Sequence, residues 1–181
     1  MTPVLQTGTP SIRRATTQDA AALAALAEKT FRDTFAAQNS AHNMDLHCRT
    51  HYGAAMQAAE IARDDLVTLV ADVEGTLVAY AQLRLAAAPA CVPGARPGEI
   101  QRFYVDRPWH GQGIAHTLMS ACLQALAERA CDTVWLGVWE HNPRAIAFYR
   151  RHGFTEVGEH CFALGDDPQR DILLARVSLA P

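Results

Sequence analysis

Apolar residues recur along this chain at two spacings, and the switch from one to the other marks out the elements. Leu23, Ala27, Phe31 and Phe35 fall four apart, which puts them on one face of a helix. Just ahead, Thr16 followed by Asp19 reads as a capping box with Asp in place of Glu. Residues 11–14 predict a short first strand, and a second helical stretch is expected within 43–62. Residues 66–72 and 77–85 read as a hairpin turning at Glu74-Gly75. The segment 86–98 carries three prolines and is expected to cross without regular structure, leading into a strand over 99–105.

The second half alternates more plainly. Ile114, Leu118, Cys122 and Leu126 mark a long amphipathic helix, and 133–138 is a nearly continuous apolar run, as a buried central strand requires. In the next helix Asn142 suits the N-cap, Pro143 the first helical position, and Gly153 the left-handed residue past the end. Strands around 154–164 and 171–179 flank a Gly165-Asp166-Asp167-Pro168 turn. The pattern predicts one α/β (α+β) domain over residues 11–181, a mixed, mostly antiparallel sheet flanked by helices, behind a flexible tail over 1–10.

Composition narrows the function. A chain of 181 residues can bury one core, and a formal charge of −3 gives no strong attraction to nucleic acid or anionic membrane. No apolar run approaches the ~20 residues of a membrane span, and the first ten residues lack the apolar stretch of a signal peptide. The five cysteines form no C-x-x-C pair, and Cys122 falls on the apolar helical stripe; reduced thiols and a cytoplasmic location are the expectation. His47 and His51 have the i, i+4 spacing of a helical metal pair, with His42 nearby. Without a partner motif they read as ordinary histidines, and no metal is expected.

The segment that carries chemistry is His110-Gly111-Gln112-Gly113-Ile114-Ala115, a glycine-rich loop between a strand and a helix. Such a loop presents backbone N–H groups and the positive end of the helix dipole to an anion. A P-loop would need Gly-Lys-Ser/Thr here, but Ile114 follows Gly113; a dinucleotide fingerprint would need glycine where His116 stands. What remains resembles the Q/R-x-x-G-x-G/A signature of the GNAT superfamily of N-acetyltransferases, with His110, Gly113 and Ala115 at its defined positions. Phe103-Tyr104-Val105, and Asn142 to Tyr149 followed by Gly153-Phe154, match two further blocks of that superfamily in order. Phe31 to Phe35, Gln38 to Ser40, Trp135 to Glu140 and Gly165 to Asp167, with Gln169 and Asp171, are similar to bacterial polyamine acetyltransferases of the PaiA type.

The resemblance implies acetyl-CoA as co-substrate, its pyrophosphate on the 110–115 loop and its pantetheine arm along 103–105, with Asn142, Ala145 and Tyr149 completing the site. His110 stands where Gln or Arg is usual and would add charge only when protonated. Transfer to an amine needs a proton acceptor, a donor to the oxyanion and a proton for the departing thiolate. Glu99 is the candidate base, since it begins the strand whose far end would hold the thioester, and neighbouring Gln101 stands where many relatives carry a second Glu; Tyr149 is the candidate acid, and the Val105 N–H the oxyanion donor. Phe31, Phe35, Asn39 and Trp139 are candidates for the acceptor side. The acceptor is expected to be a small-molecule amine, a polyamine among the candidates, reached by direct transfer; a homodimer is compatible with this reading. Acetylation of protein amines or amino acids, and a non-catalytic acyl-CoA-binding regulator, are the alternatives.

Overall fold

The computed structural model describes residues 9–164 and 167–177. Most of the expected tail, and Gly165 and Asp166 of the expected turn, lie outside the described residues. The chain opens with strand β1 (Ser11–Arg14), and the expected capping box follows. There the Thr16 N–H donates to Asp19 Oδ2 at 2.7 Å and the Thr16 hydroxyl to the same oxygen at 3.1 Å. Helix α1 (Ala20–Phe35) buries Leu23, Ala27 and Phe31 as their spacing requires. The stretch expected as one further helix is two, α2 (Ala41–His51) and α3 (Ala54–Ile61). The break falls at Tyr52, whose buried ring sits 5.7 Å from that of Phe31, and at Gly53, a poor helix former. Core packing of one aromatic overrides helical continuity.

Strands β2 (Leu66–Val73) and β3 (Thr76–Arg84) form the hairpin, turning at Glu74-Gly75. Strand β4 (Pro97–Val105) starts two residues before its expected position, and helix α4 (Ile114–Glu128) buries its whole predicted stripe. Strand β5 (Thr133–Trp139), helix α5 (Pro143–Arg151) and strands β6 (Thr155–Leu164) and β7 (Asp167–Val177) complete the chain. The Asn142 side chain accepts the Ala145 N–H at 3.1 Å, as an N-cap should.

The seven strands form one sheet in the order β1-β2-β3-β4-β5-β7-β6, antiparallel at every join but β4–β5. Helices cover both faces, which is why β2 and β3 lack polar alternation. On one side α4 and Tyr149 of α5 pack with Leu69, Ala81, Leu136 and Phe154. On the other, α1 and α2 pack with Val70 and Tyr80. Trp135, expected in the core, joins Val92 and Leu173 beneath the 86–98 crossing.

The one parallel join is short. β4 and β5 pair only at Pro97↔Thr133, Gly98↔Val134 and Glu99↔Trp135. Beyond that point each strand pairs only with its outer neighbour, so the sheet opens between them. A bulge accompanies the parting: Leu83 faces Ile100 and Gln82 faces Arg102, leaving Gln101 with no residue opposite. A bulge bends and twists its strand, and here it swings the end of β4 away from β5.

Candidate active site

The parting of β4 and β5 opens a cleft of about 620 Å³, and elements from both halves of the chain line it. One end is made largely of backbone. Phe103, Tyr104 and Val105 line it from β4, with His110, Gly111, Gly113, Ile114 and Ala115 at the start of α4. Gly111 and Gly113 have φ of 80° and 82°, the left-handed region that costs a side-chain-bearing residue roughly 1–2 kcal/mol. A Cβ on either would meet nothing within 4 Å, so conformation rather than crowding calls for glycine. The first returning bonds of α4 run from the His116 and Thr117 N–H groups to the Gly113 carbonyl, at 3.0 and 3.1 Å. The amides ahead of them belong to the unsatisfied first turn that attracts anions.

Side chains at this end add charge. His110 Nε2 lies 2.7 Å from the Val105 carbonyl and its Nδ1 2.9 Å from an Arg144 guanidinium nitrogen. A guanidinium only donates, so Nδ1 accepts and Nε2 carries the hydrogen given to Val105. In this arrangement Arg144 brings a permanent positive charge beside the loop. Arg107, Arg144 and Arg151 also line the cleft. Of the loop residues named from sequence, Gln112 alone does not: its amide donates to the Pro108 carbonyl at 2.9 Å and braces the turn.

Asn142, Ala145, Phe148 and Tyr149 bring α5 to the cleft. The Tyr149 ring packs against Phe154 and Phe103, with centroids 5.9 and 6.2 Å away. Burial pushes its phenol well above the ordinary value, so it remains a neutral donor at any working pH. Among the described residues its hydroxyl has no hydrogen-bond partner, which leaves the proton free for a ligand.

The other end is aromatic. Phe31 and Phe35 of α1, Trp139 of β5 and Phe162 of β6 line it, with Phe35 and Trp139 centroids 5.4 Å apart. Asn39, expected here, stands behind the wall: its Nδ2 donates to the Phe35 carbonyl at 2.9 Å, and its Oδ1 accepts from Gln169 at 2.6 Å. His47 stacks on Phe31 at 4.2 Å and on His51 at 4.1 Å; burial pushes its imidazole down to about 4. Among the described residues no three His, Cys, Asp or Glu side chains gather as metal ligands would.

Glu99 is not among the residues that line the cleft. It sits opposite Arg84 in the β3–β4 ladder, and the Arg84 Nε donates to its Oε2 at 2.6 Å. Burial raises its pKa while Arg84 and, through space, His160 hold it down. Two carboxylates do line the cleft, Asp33 on α1 and Asp171 on β7, the latter together with Gly137 on β5. Sequence reasoning gave Asp171 no role; a glycine inside an otherwise apolar strand was the available signal of a close approach.

A cleft lined by the main chain of a parted strand and ending in a turn with free helix-start amides suits a long ligand that carries a phosphate group. The chain belongs to the Acetyltransferase (GNAT) family, whose sequence profile matches residues 23–154. It is 32% identical over 152 residues to an N-acetyltransferase from the pepI 3' region of Lactobacillus delbrueckii subsp. lactis, covering 84% of this chain and 88% of that protein. It is 34% identical over 89 residues to the spermine/spermidine N(1)-acetyltransferase of Bacillus subtilis (strain 168), covering 48% of this chain and 57% of that one. The fold matches the PaiA N-acetyltransferase of Thermoplasma acidophilum, solved with coenzyme A, at a TM-score of 0.78 and 20% identity over 94% of this chain and 99% of that one. The expected GNAT fold and N-acetyltransferase class therefore both hold.

Proposed function

We propose that this protein transfers an acetyl group from acetyl-CoA to the primary amine of a small, cationic molecule, with polyamines the leading class, directly within a ternary complex. The observation that carries the reading is the two-ended cleft: a backbone-lined, arginine-flanked end beside an aromatic one holding the half-buried Asp171 carboxylate. The pyrophosphate lies on the amides of Gly111 to Ala115 with Arg144 beside it, and the pantetheine arm pairs with 103–105 like an added strand. Arginines at one end and Asp171 at the other then sort the anionic donor from the cationic acceptor.

Tyr149 supplies the proton that the departing thiolate needs, since a buried neutral phenol beside the sulfur can donate to it. The Val105 N–H faces the carbonyl oxygen as charge develops there. Glu99 does not line the cleft and is ion-paired with Arg84, which opposes the upward pull of burial on its pKa, so it is not assigned the base role. The five thiols are all free, in keeping with a reducing cytoplasm.

Thiol release from acetyl-CoA across spermidine, simple diamines, lysine and peptides tests the assignment. Turnover highest with small polycations is expected. A preference for peptides, or acetyl-CoA binding with no release for any amine, would overturn it. Glu99→Gln is expected to slow turnover by less than about tenfold, as befits a group off the cleft.

A further inference from the structure

Asp171 is costly as a purely structural residue. Its side chain is 14% exposed, and Oδ1 is fully buried with no hydrogen-bond partner. An unpaired buried oxygen of a carboxylate carries a desolvation penalty that needs a reason. The other oxygen, Oδ2, lies 3.6 Å from Nε2 of His160, its cross-strand neighbour on β6. His160 is 38% exposed, so the pair runs from the cleft toward solvent. Gly137 keeps the approach open: a Cβ there would stand 3.2 Å from Asp171 Oδ2 and 3.4 Å from His160 Nε2. Trp139, directly across the β5–β7 ladder from Asp171, together with Phe35 and Phe162, walls the space in front.

We propose that Asp171 is a catalytic residue that takes the proton from the acceptor ammonium and passes it to His160, which releases it to solvent. The inference rests on the donor lying along β4 as described above. The ammonium N–H donates to Asp171, an O–H bond forms as that N–H bond breaks, and the freed lone pair attacks the thioester carbonyl carbon. As the intermediate collapses the C–S bond breaks, the thiolate takes the Tyr149 proton, and the nitrogen loses its second proton by the same Asp171–His160 route. Tyr149 is reprotonated from solvent. The net change is ammonium plus thioester to amide, thiol and one released proton.

Burial makes the first step feasible. It raises the Asp171 pKa against the pull of His160, and the same dry, aromatic surroundings lower that of a bound ammonium, so the two converge. The titratable and charged groups around Asp171 are His160 on β6, Tyr104 on β4, and beyond His160 the Arg84-paired Glu99. Arg102 and Asp33 line the same cleft, with Arg102 held by Glu60 at 2.8 Å. Arg170, the neighbour on β7, is occupied by Glu140 and Glu159.

The test compares wild type, Asp171→Asn and His160→Gln with two acceptors, a polyamine cationic at neutral pH and an aryl or alkoxy amine already neutral there. For Asp171→Asn we expect kcat with the polyamine to fall about 100–1000-fold. The fall with the neutral amine is expected to be below roughly tenfold, with acetyl-CoA affinity unchanged, because no proton need be removed before attack. His160→Gln should show the same selectivity with a loss of about tenfold. Equal losses with both amines, a rise in KM alone, or undiminished turnover would overturn the proposal. If Asp171→Asn cannot bind acetyl-CoA, His160→Gln decides by the same selectivity. Wild type that binds acetyl-CoA and acetylates no amine defeats the acceptor assignment and this proposal together, whereas a silent Asp171→Asn in an active enzyme defeats this proposal alone.

Discussion

The two ends of the cleft are built by different means. The end proposed for the donor comes from two short contiguous stretches, 103–115 and 142–149, and presents largely main chain. The end proposed for the acceptor is assembled from α1, β5, β6 and β7, residues up to 140 positions apart such as Phe31 and Asp171, and presents side chains. Backbone recognition needs only the right local conformation, here two left-handed glycines and a helix start. Side-chain recognition needs the whole sheet in register. A family can therefore keep the first while the second changes from member to member, and acceptor choice is expected to vary at this end.

That division can be broken by substitution. The largest effect is expected where the ends meet, at the sulfur: Tyr149→Phe should lower kcat by about 100–1000-fold and leave the Kd of acetyl-CoA within roughly twofold. Unchanged turnover would remove Tyr149 from the chemistry. At the donor end, Gly113→Ala forces a side-chain-bearing residue into φ near 82°, a cost of about 1–2 kcal/mol, so acetyl-CoA binding should weaken about 5–30-fold. The KM for the amine should not follow, and a parallel rise would show that the ends are not separable. At the acceptor end, Trp139→Leu removes an aromatic face from the cation's path; the amine KM should rise about fivefold, with acetyl-CoA affinity unchanged by calorimetry.

A smaller effect distinguishes the ends by pH. His47 backs Phe31, and burial lowers its folded pKa from 6.5 to about 4. The unfolded chain binds that proton first, so stability from keeping His47 neutral is complete above about 6.5 and lost as pH falls toward 4. Denaturant melts at pH 7.5 and 4.5 should show His47→Phe losing about 1–3 kcal/mol less than wild type over this interval. Glu99 and Asp171, whose folded pKa values are raised, act with the opposite sign: their penalty fades as pH falls through those values. Both are present in wild type and variant and cancel from the difference. Identical slopes would mean that His47 is solvated in the folded protein.

The helices and most strands were legible from sequence because their signals are local. A four-residue stripe specifies the buried face of α4, and an Asn-Pro start with a glycine stop specifies α5. The same held for the glycine turn, whose left-handed Gly111 and Gly113 and helix start are set by consecutive residues. The break between α2 and α3 was not legible, because it depends on where the Tyr52 ring is buried. Nor was the standing of the two carboxylates. Glu99 and Asp171 each lie on a strand near the parting, and spacing alone favoured Glu99.

By itself the sequence determined the order and kind of most elements, the glycine turn at the start of α4 and the family. Tertiary structure alone decided which of the two carboxylates, Glu99 or Asp171, lines a face of the cleft. The bulge at Gln101 and the parting of β4 from β5 set that face, while the β3–β4 register hands Glu99 to Arg84 and the β6–β7 register sets Asp171 beside His160. Each of those pairings joins residues far apart in the chain. Their outcome depends on a one-residue shift that reverses which side a side chain takes, and no local pattern records it.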